Sequence, residues 1–159
     1  MKINIICVGK LKEQFLKEAI KEYSKRLNIF CNLKIIEVAD ESIPNNASQL
    51  DKKNILKKEG ERILNKINLK DYIISLVILG HKYNSKQFAK KMQYLFTYVN
   101  SNITFIIGGS LGLSDNVIKK SNLLLSLSDL TFPHQLARVI LIEQIYRSFM
   151  INFNRKYHK

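Results

Sequence analysis

Tryptophan is absent, and cysteine occurs twice, at Cys7 and Cys31. Both cysteines lie in apolar runs with no C-x-x-C spacing, so neither a disulfide framework nor a redox motif is expected. They read as buried thiols in a reducing cytoplasm. The three histidines, His81, His134 and His158, are far from one another and from either cysteine, so no metal centre is expected. No apolar run reaches the roughly 18 residues of a membrane span. The longest, Val139–Ile151, is broken by Glu143, Gln144 and Arg147. The apolar start at Met1–Gly9 lacks a small-residue cleavage pattern, so no secretory signal is expected.

Acid is scarce as well. The 159 residues hold 13 Asp+Glu against 26 Lys+Arg, a net charge of +13. Residues 1–70 carry 15 basic and 9 acidic groups, and residues 71–159 carry 11 and 4. The surplus is spread along the chain, which points to a folded basic surface and not a basic tail. A base-composition bias in an AT-rich genome would supply some of these lysines. An anionic partner is still the first expectation for so basic a domain. The hydrophobic fraction, 46%, is that of a packed globular protein. One domain of this length buries a modest core.

Periodicity predicts alternating strands and helices. Strands are expected at Lys2–Val8, Leu33–Val38, Asp71–Leu79, Ile103–Ile107 and Leu123–Leu127. Helices are expected at Leu11–Leu27, Leu50–Ile67, Ser85–Tyr98 with Ser85 as cap, Asp115–Lys120, and from Pro133 to about Phe149. The third and fourth strands are apolar almost throughout, the mark of buried parallel strands. The predicted class is α/β, a mainly parallel sheet flanked by helices. Ligands bind such sheets at the carboxyl ends of the strands. The loops after Leu79, Ile107 and Leu127 are therefore where a site is expected.

Two of these loops have suggestive chemistry. Ile107-Gly108-Gly109-Ser110-Leu111-Gly112 is a strand running into a glycine turn. Glycine allows positive φ and close approach of a ligand. The dinucleotide pattern G-x-G-x-x-G is absent, as is an acidic ribose ligand, so a nicotinamide-dependent oxidoreductase is disfavoured. Ser126–His134 follows the last strand and offers backbone groups to a flat polar ring such as adenine. Its structural alternative is a helix start capped by Thr131 ahead of Pro133.

On the final helix, Arg138 and Arg147 are nine positions apart and project from opposite faces. Glu143 and Arg147 are spaced for an intrahelical pair. His134 and Arg138 share a face near the predicted ligand loop. The apolar residues Val139, Ile140, Ile142, Ile145, Tyr146, Phe149 and Met150 exceed what one side of a helix needs, which leaves burial in one subunit or a two-fold dimer. The end Tyr157-His158-Lys159 combines an aromatic, a titratable ring and a cation.

These segments together resemble the RlmH family of SPOUT-class methyltransferases. The match runs through Ile106-Ile107-Gly108-Gly109-x-x-Gly112-Leu113, Ser126-x-Ser128-x-x-Thr131-x-Pro133-His134-Gln135-x-x-Arg138, Glu143-Gln144-x-Tyr146-Arg147 and Tyr157-His158-Lys159. Met1-Lys2-Ile3 and Gly9-Lys10-Leu11-Lys12 extend it over nearly the whole chain. It departs at Lys86, where the family often has Glu, and at Asp129-Leu130, commonly a basic residue and Met. The resemblance implies a single SPOUT domain over residues 1–159 with a C-terminal trefoil knot, and a homodimer. It implies S-adenosylmethionine as methyl donor, with no metal. The implied reaction is methylation of N3 of a pseudouridine in 23S ribosomal RNA, on the assembled ribosome. It implies a cofactor site at Leu76, Gly108, Leu127, Ser128, Asp129, Leu130, Thr131 and Phe132. His158 is the expected proton acceptor because its ring titrates near neutral pH. Arg138 is expected to stabilise the anionic ring or hold phosphate. Glu143 is a rival base unless Arg147 holds it. A non-catalytic ribosome-associated RNA-binding protein would explain the charge but not a glycine turn and a polar loop at successive strand ends.

Overall fold

The computed structural model describes residues 1–100 and 102–157. Five parallel strands form one sheet in the order β2-β1-β4-β3-β5. They are β1 Lys2–Val8, β2 Asn32–Val38, β3 Tyr72–Lys82, β4 Asn102–Ile107 and β5 Leu123–Ser126. The helices are α1 Gln14–Leu27, α2 Gln49–Leu64, α3 Ser85–Tyr94, α4 Asp115–Lys120 and α5 His134–Asn152. The expected class, a parallel sheet between helical layers, is what forms.

Strand side chains alternate between faces, and that period of two builds two cores. Ile3, Ile5, Cys7, Ile74, Ile103, Phe105 and Ile107 face α1, α3 and α5. Ile6, Val8, Ile73 and Ile106 face α2 and α4, against Ile63, Leu113 and Val117. β1 and β4 are central and buried, whereas the edge strand β2 is only partly covered. A buried polar cluster joins three amino-terminal strand positions. Thr104 Oγ1 donates to Asp71 Oδ2 at 2.6 Å, and Asn4 Nδ2 donates to the same oxygen at 3.1 Å.

Several element ends differ from expectation, each for a local reason. α1 begins at Gln14, not Leu11, because the amides of Leu11 and Lys12 are bound by distant side chains. α3 is capped by Asn84, not Ser85: Asn84 and Gln87 form a reciprocal capping box, and Ser85 Oγ donates to Gln144 instead. The helix then widens into one π-helical turn, Leu95–Val99, closed by the bond from Asn100 N–H to Leu95 O. β3 continues past Leu79 to Lys82; its pairing with β5 is interrupted after Leu76 and resumes at His81. The skipped segment pushes Ile78 and Leu79 into solvent. α5 starts without a side-chain cap, so Thr131 does not serve as one.

Candidate cofactor site

A cavity of about 1000 Å³ opens at the carboxyl ends of β3, β4 and β5. That is the upper end of the size range for small-molecule sites. Its walls are mostly apolar, from Leu76 and Val77, Ile107, Leu125, Leu127 and Phe132. The glycine turn forms one side. Gly112 has φ +89°, its N–H donates to Gly109 O at 3.1 Å, and the two residues form an isolated bridge. A Cβ built on Gly108 would stand 2.3 Å from the Gly112 carbonyl oxygen. Glycine is therefore required at position 108 first by the closure of the turn itself. The opposite side is the segment 127–133. Ser128 organises it: its Oγ accepts from Leu130 N–H at 3.0 Å, and its carbonyl accepts from Ser126 Oγ at 3.1 Å.

Of the eight residues expected to hold a cofactor, Leu76, Gly108, Leu127, Ser128, Leu130, Thr131 and Phe132 line this one cavity. Asp129 is not among the lining residues; its exposed carboxylate pairs with Lys82 Nζ at the rim. The geometry suits a ligand with a flat apolar-walled ring and a polar edge. The Gly108–Gly112 turn brings its backbone to the cavity wall, and the segment beyond Leu127 offers backbone hydrogen-bonding groups. Those features fit the adenine ring of a cofactor such as S-adenosylmethionine.

Three further residues stand around the site; the sequence placed His134 near it but gave no signal for Glu59 or Glu37. His134 lines the cavity, and burial pulls its pKa below the ordinary histidine value, with the Arg138 charge adding to the effect. Its Nε2 stands 3.5 Å from where a Cβ on Gly9 would lie. Glu59 on α2 is 4% exposed and sits directly behind the glycine turn. A Cβ on Gly109 would meet Glu59 Oε2 at 3.1 Å, and burial raises this carboxyl above its usual range. Its Oε1 accepts the Glu41 N–H at 2.9 Å, while Oε2 has no partner among the described residues. Glu37 is the third, because it receives Arg138.

Arg138 is not at the ligand face. It is 1% exposed, Nη1 donates to Glu37 Oε1 at 2.7 Å, and Nη2 donates to the carbonyls of Val8 and Gly9 at 2.9 and 2.6 Å. Direct contact with a substrate ring or phosphate, as the sequence led us to expect, is blocked in the chain by this burial. The helical spacing placed Arg138 near His134 correctly, but the long side chain turns to the end of β1. Glu143 is occupied: Arg147 Nη2 donates to its Oε1 at 2.5 Å and the Tyr157 hydroxyl at 3.2 Å. The tail docks back on α5, with the Tyr157 ring edge-on to Tyr146 and under the Arg147 guanidinium. His158 lies outside the described residues. Cys7 is buried and its thiol is pushed up to about 12, which makes it inert.

The family described as "Predicted SPOUT methyltransferase" matches residues 1–158. The chain is also similar over its full length, and that of each relative, to proteins named "Ribosomal RNA large subunit methyltransferase H". The identity is 53% with that of Ligilactobacillus salivarius and 54% with those of Pediococcus pentosaceus and Streptococcus thermophilus. Among solved structures, a methylase-family protein of Haemophilus influenzae superposes with a TM-score of 0.56. It covers 99% of this chain and 70% of its own, and at 14% identity the likeness is one of fold. The fold and its strand-end cavity thus define a SPOUT-class methyltransferase. Within that class, the chain belongs to the RlmH family.

Proposed function

We propose that this chain transfers the methyl group of S-adenosylmethionine to N3 of a pseudouridine in 23S ribosomal RNA, on the assembled ribosome in the cytoplasm. The observation that carries the reading is the cavity at the ends of β3, β4 and β5, closed on one side by the Gly108–Gly112 turn and on the other by residues 127–133. When bound there, S-adenosylmethionine supplies an electrophilic methyl carbon for in-line displacement. The chain's own tasks are to hold the donor, orient the ring and accept the N3 proton. Leu76, Leu127 and Phe132 would enclose the adenine, and the backbone of residues 127–132 would bond its edge. Asp129 contributes through its backbone, since its carboxylate is committed to Lys82. Glu143 is held by Arg147 and Tyr157, which leaves His158 as the proton acceptor in this reading.

Tyr157 rests against Glu143 and Tyr146, roughly 14 and 18 Å along α5 from His134 at ~1.5 Å per residue. The reading includes a homodimer, as the family resemblance implies. The trefoil knot implied by the family belongs to the same reading.

The test is transfer of labelled methyl from S-adenosylmethionine to ribosomes lacking the modification, followed by mapping of the product. Label on N3 of one pseudouridine is expected. Binding of S-adenosylmethionine with no transfer to ribosomes or free 23S RNA would refute the assignment.

A further inference from the structure

The loop from β1 to α1, residues 9–13, is held more firmly than an exposed connection requires. Gly9 has φ +81°, and its N–H donates to Val38 O at 2.8 Å. The carbonyls of Val8 and Gly9 receive Arg138. Leu11 N–H donates to Glu37 Oε1 at 2.8 Å, and Lys12 N–H donates to Gln135 Oε1 at 2.8 Å. The loop is thus fixed from β2 and from α5 while presenting Lys10 and Lys12 to solvent. Neither lysine forms an ion pair among the described residues. One turn further, Phe15 is 66% exposed. Lys17 and Lys21 continue the positive surface along a groove floored by Leu11, Glu37 and Arg138. The loop adjoins the cofactor cavity, because His134 lines that cavity and also lies against Gly9.

Two unpaired ammonium groups beside an exposed aromatic ring are the elements with which proteins hold single-stranded nucleic acid. The cations take phosphates, and the ring stacks on a base. A protein partner's apolar contact would have to bury the flanking Lys12 and Lys17 charges, which phosphates would instead engage; Glu13 and Glu18 share this surface. A fixed loop has already lost the entropy that binding would otherwise consume.

We propose that Lys10, Lys12 and Phe15 form a docking surface for single-stranded RNA: the lysines contact backbone phosphates, and Phe15 stacks on an unpaired base flanking the target nucleotide. Gln135 and Arg138 act as positioning residues for this surface. The inference rests on the reading of the substrate as ribosomal RNA.

The experiment measures methyl-transfer kinetics on ribosomes, and S-adenosylmethionine affinity by calorimetry, for wild type, Phe15→Ala, Lys10→Ala/Lys12→Ala and Lys53→Ala/Lys57→Ala. The last pair removes two exposed charges from α2 and controls for net charge. Phe15→Ala is expected to raise KM for the ribosome about tenfold, the lower range of one lost base stack. Lys10→Ala/Lys12→Ala is expected to raise KM at least tenfold and to flatten the salt dependence of binding by a slope of about 1.5. Cofactor affinity stays unchanged in both, and the α2 pair behaves as wild type. Unchanged KM and salt slope in an active protein overturn the docking surface alone, as does an equal effect from the α2 pair. Absence of transfer by the wild type overturns the substrate reading and this inference with it.

Discussion

Replacing Arg138 by methionine should remove much of the protein's stability, and the amount follows from its partners. The side chain is 1% exposed and makes one bond to a carboxylate and two to buried carbonyls. Methionine fills a similar volume but takes the guanidinium's donors away from all three acceptors. Breaking a buried pair in this way costs about 3–5 kcal/mol. Glu37 keeps a 35% exposed side chain and the Leu11 N–H, so its charge can hydrate, which moves the expected loss toward ~3 kcal/mol. Against a total of about 5–15 kcal/mol, that is a large fraction. Glu37→Gln retains an acceptor for both donors and should cost about 1–2 kcal/mol by weakening the charge-assisted bond. Urea denaturation of the two single variants and the double variant, followed by circular dichroism, gives the coupling. The double variant should lose at least about 1 kcal/mol less than the sum. A loss below ~1 kcal/mol for Arg138→Met, or additivity within ~0.5 kcal/mol, would refute the view that this arginine locks the end of β1.

Gly108→Val puts a Cβ within 2.3 Å of the Gly112 carbonyl, so the turn must open, and calorimetry should show S-adenosylmethionine affinity lost by tenfold or more in a protein that still folds. Wild-type affinity in that variant would remove Gly108 from the site. Glu59→Gln keeps the bond from Glu41 N–H but removes a carboxyl whose pKa burial raises, with the Asp40 and Glu41 charges adding and Arg62 opposing. The folded state then holds the proton to higher pH than the unfolded chain, so wild-type stability falls as pH rises from the ordinary carboxylate range through the raised value. Melting curves should show the variant gaining on wild type at pH 8 and losing that gain at pH 4; a pH-independent difference would count against the buried acid. His158→Ala should lower the methyl-transfer rate by about 10² or more with RNA affinity little changed, and wild-type turnover would return the proton to water. Light scattering at micromolar concentration should give the mass of a dimer, and a monomeric mass would count against the homodimer.

The sheet was legible because its signal is local. β1 and β4 are mostly apolar, and their odd and even apolar positions divide cleanly between the two cores. The Glu143–Arg147 pair was legible for the same reason, four residues apart on one helix. The residues misread are those whose partners are distant in sequence. Leu11 and Phe15 fit a helical stripe, yet residues 11 and 12 are kept out of α1 by Glu37 and Gln135, 26 and 123 positions away. Arg138 binds carbonyls 130 and 129 positions away. No periodicity carries such information. The cap of α3 is a different case: Asn84-x-x-Gln87 is a capping box legible in the sequence itself, one residue before the Ser85 expected to cap the helix.

The first turns of α5 explain why Pro133-His134-Gln135-x-x-Arg138 is spaced as it is. Successive residues on a helix point about 100° apart, and residues four apart differ by only about 40°. His134 and Arg138 therefore share one face, the side turned toward Gly9, while Gln135 points to its flank. His134 closes the cofactor cavity and abuts Gly9; Arg138, one turn deeper, holds the carbonyls of Val8 and Gly9; Gln135 reaches across to Lys12. The cavity belongs to the β3–β4–β5 side of the sheet, and the basic loop belongs to β1. Because β4 separates β3 from β1, strand pairing alone does not set the distance between the cavity and the loop. The helix does, with three side chains from five consecutive positions. A change in any of the three should shift the basic loop relative to the cavity, and so be felt in RNA-dependent steps even where the cofactor itself still binds.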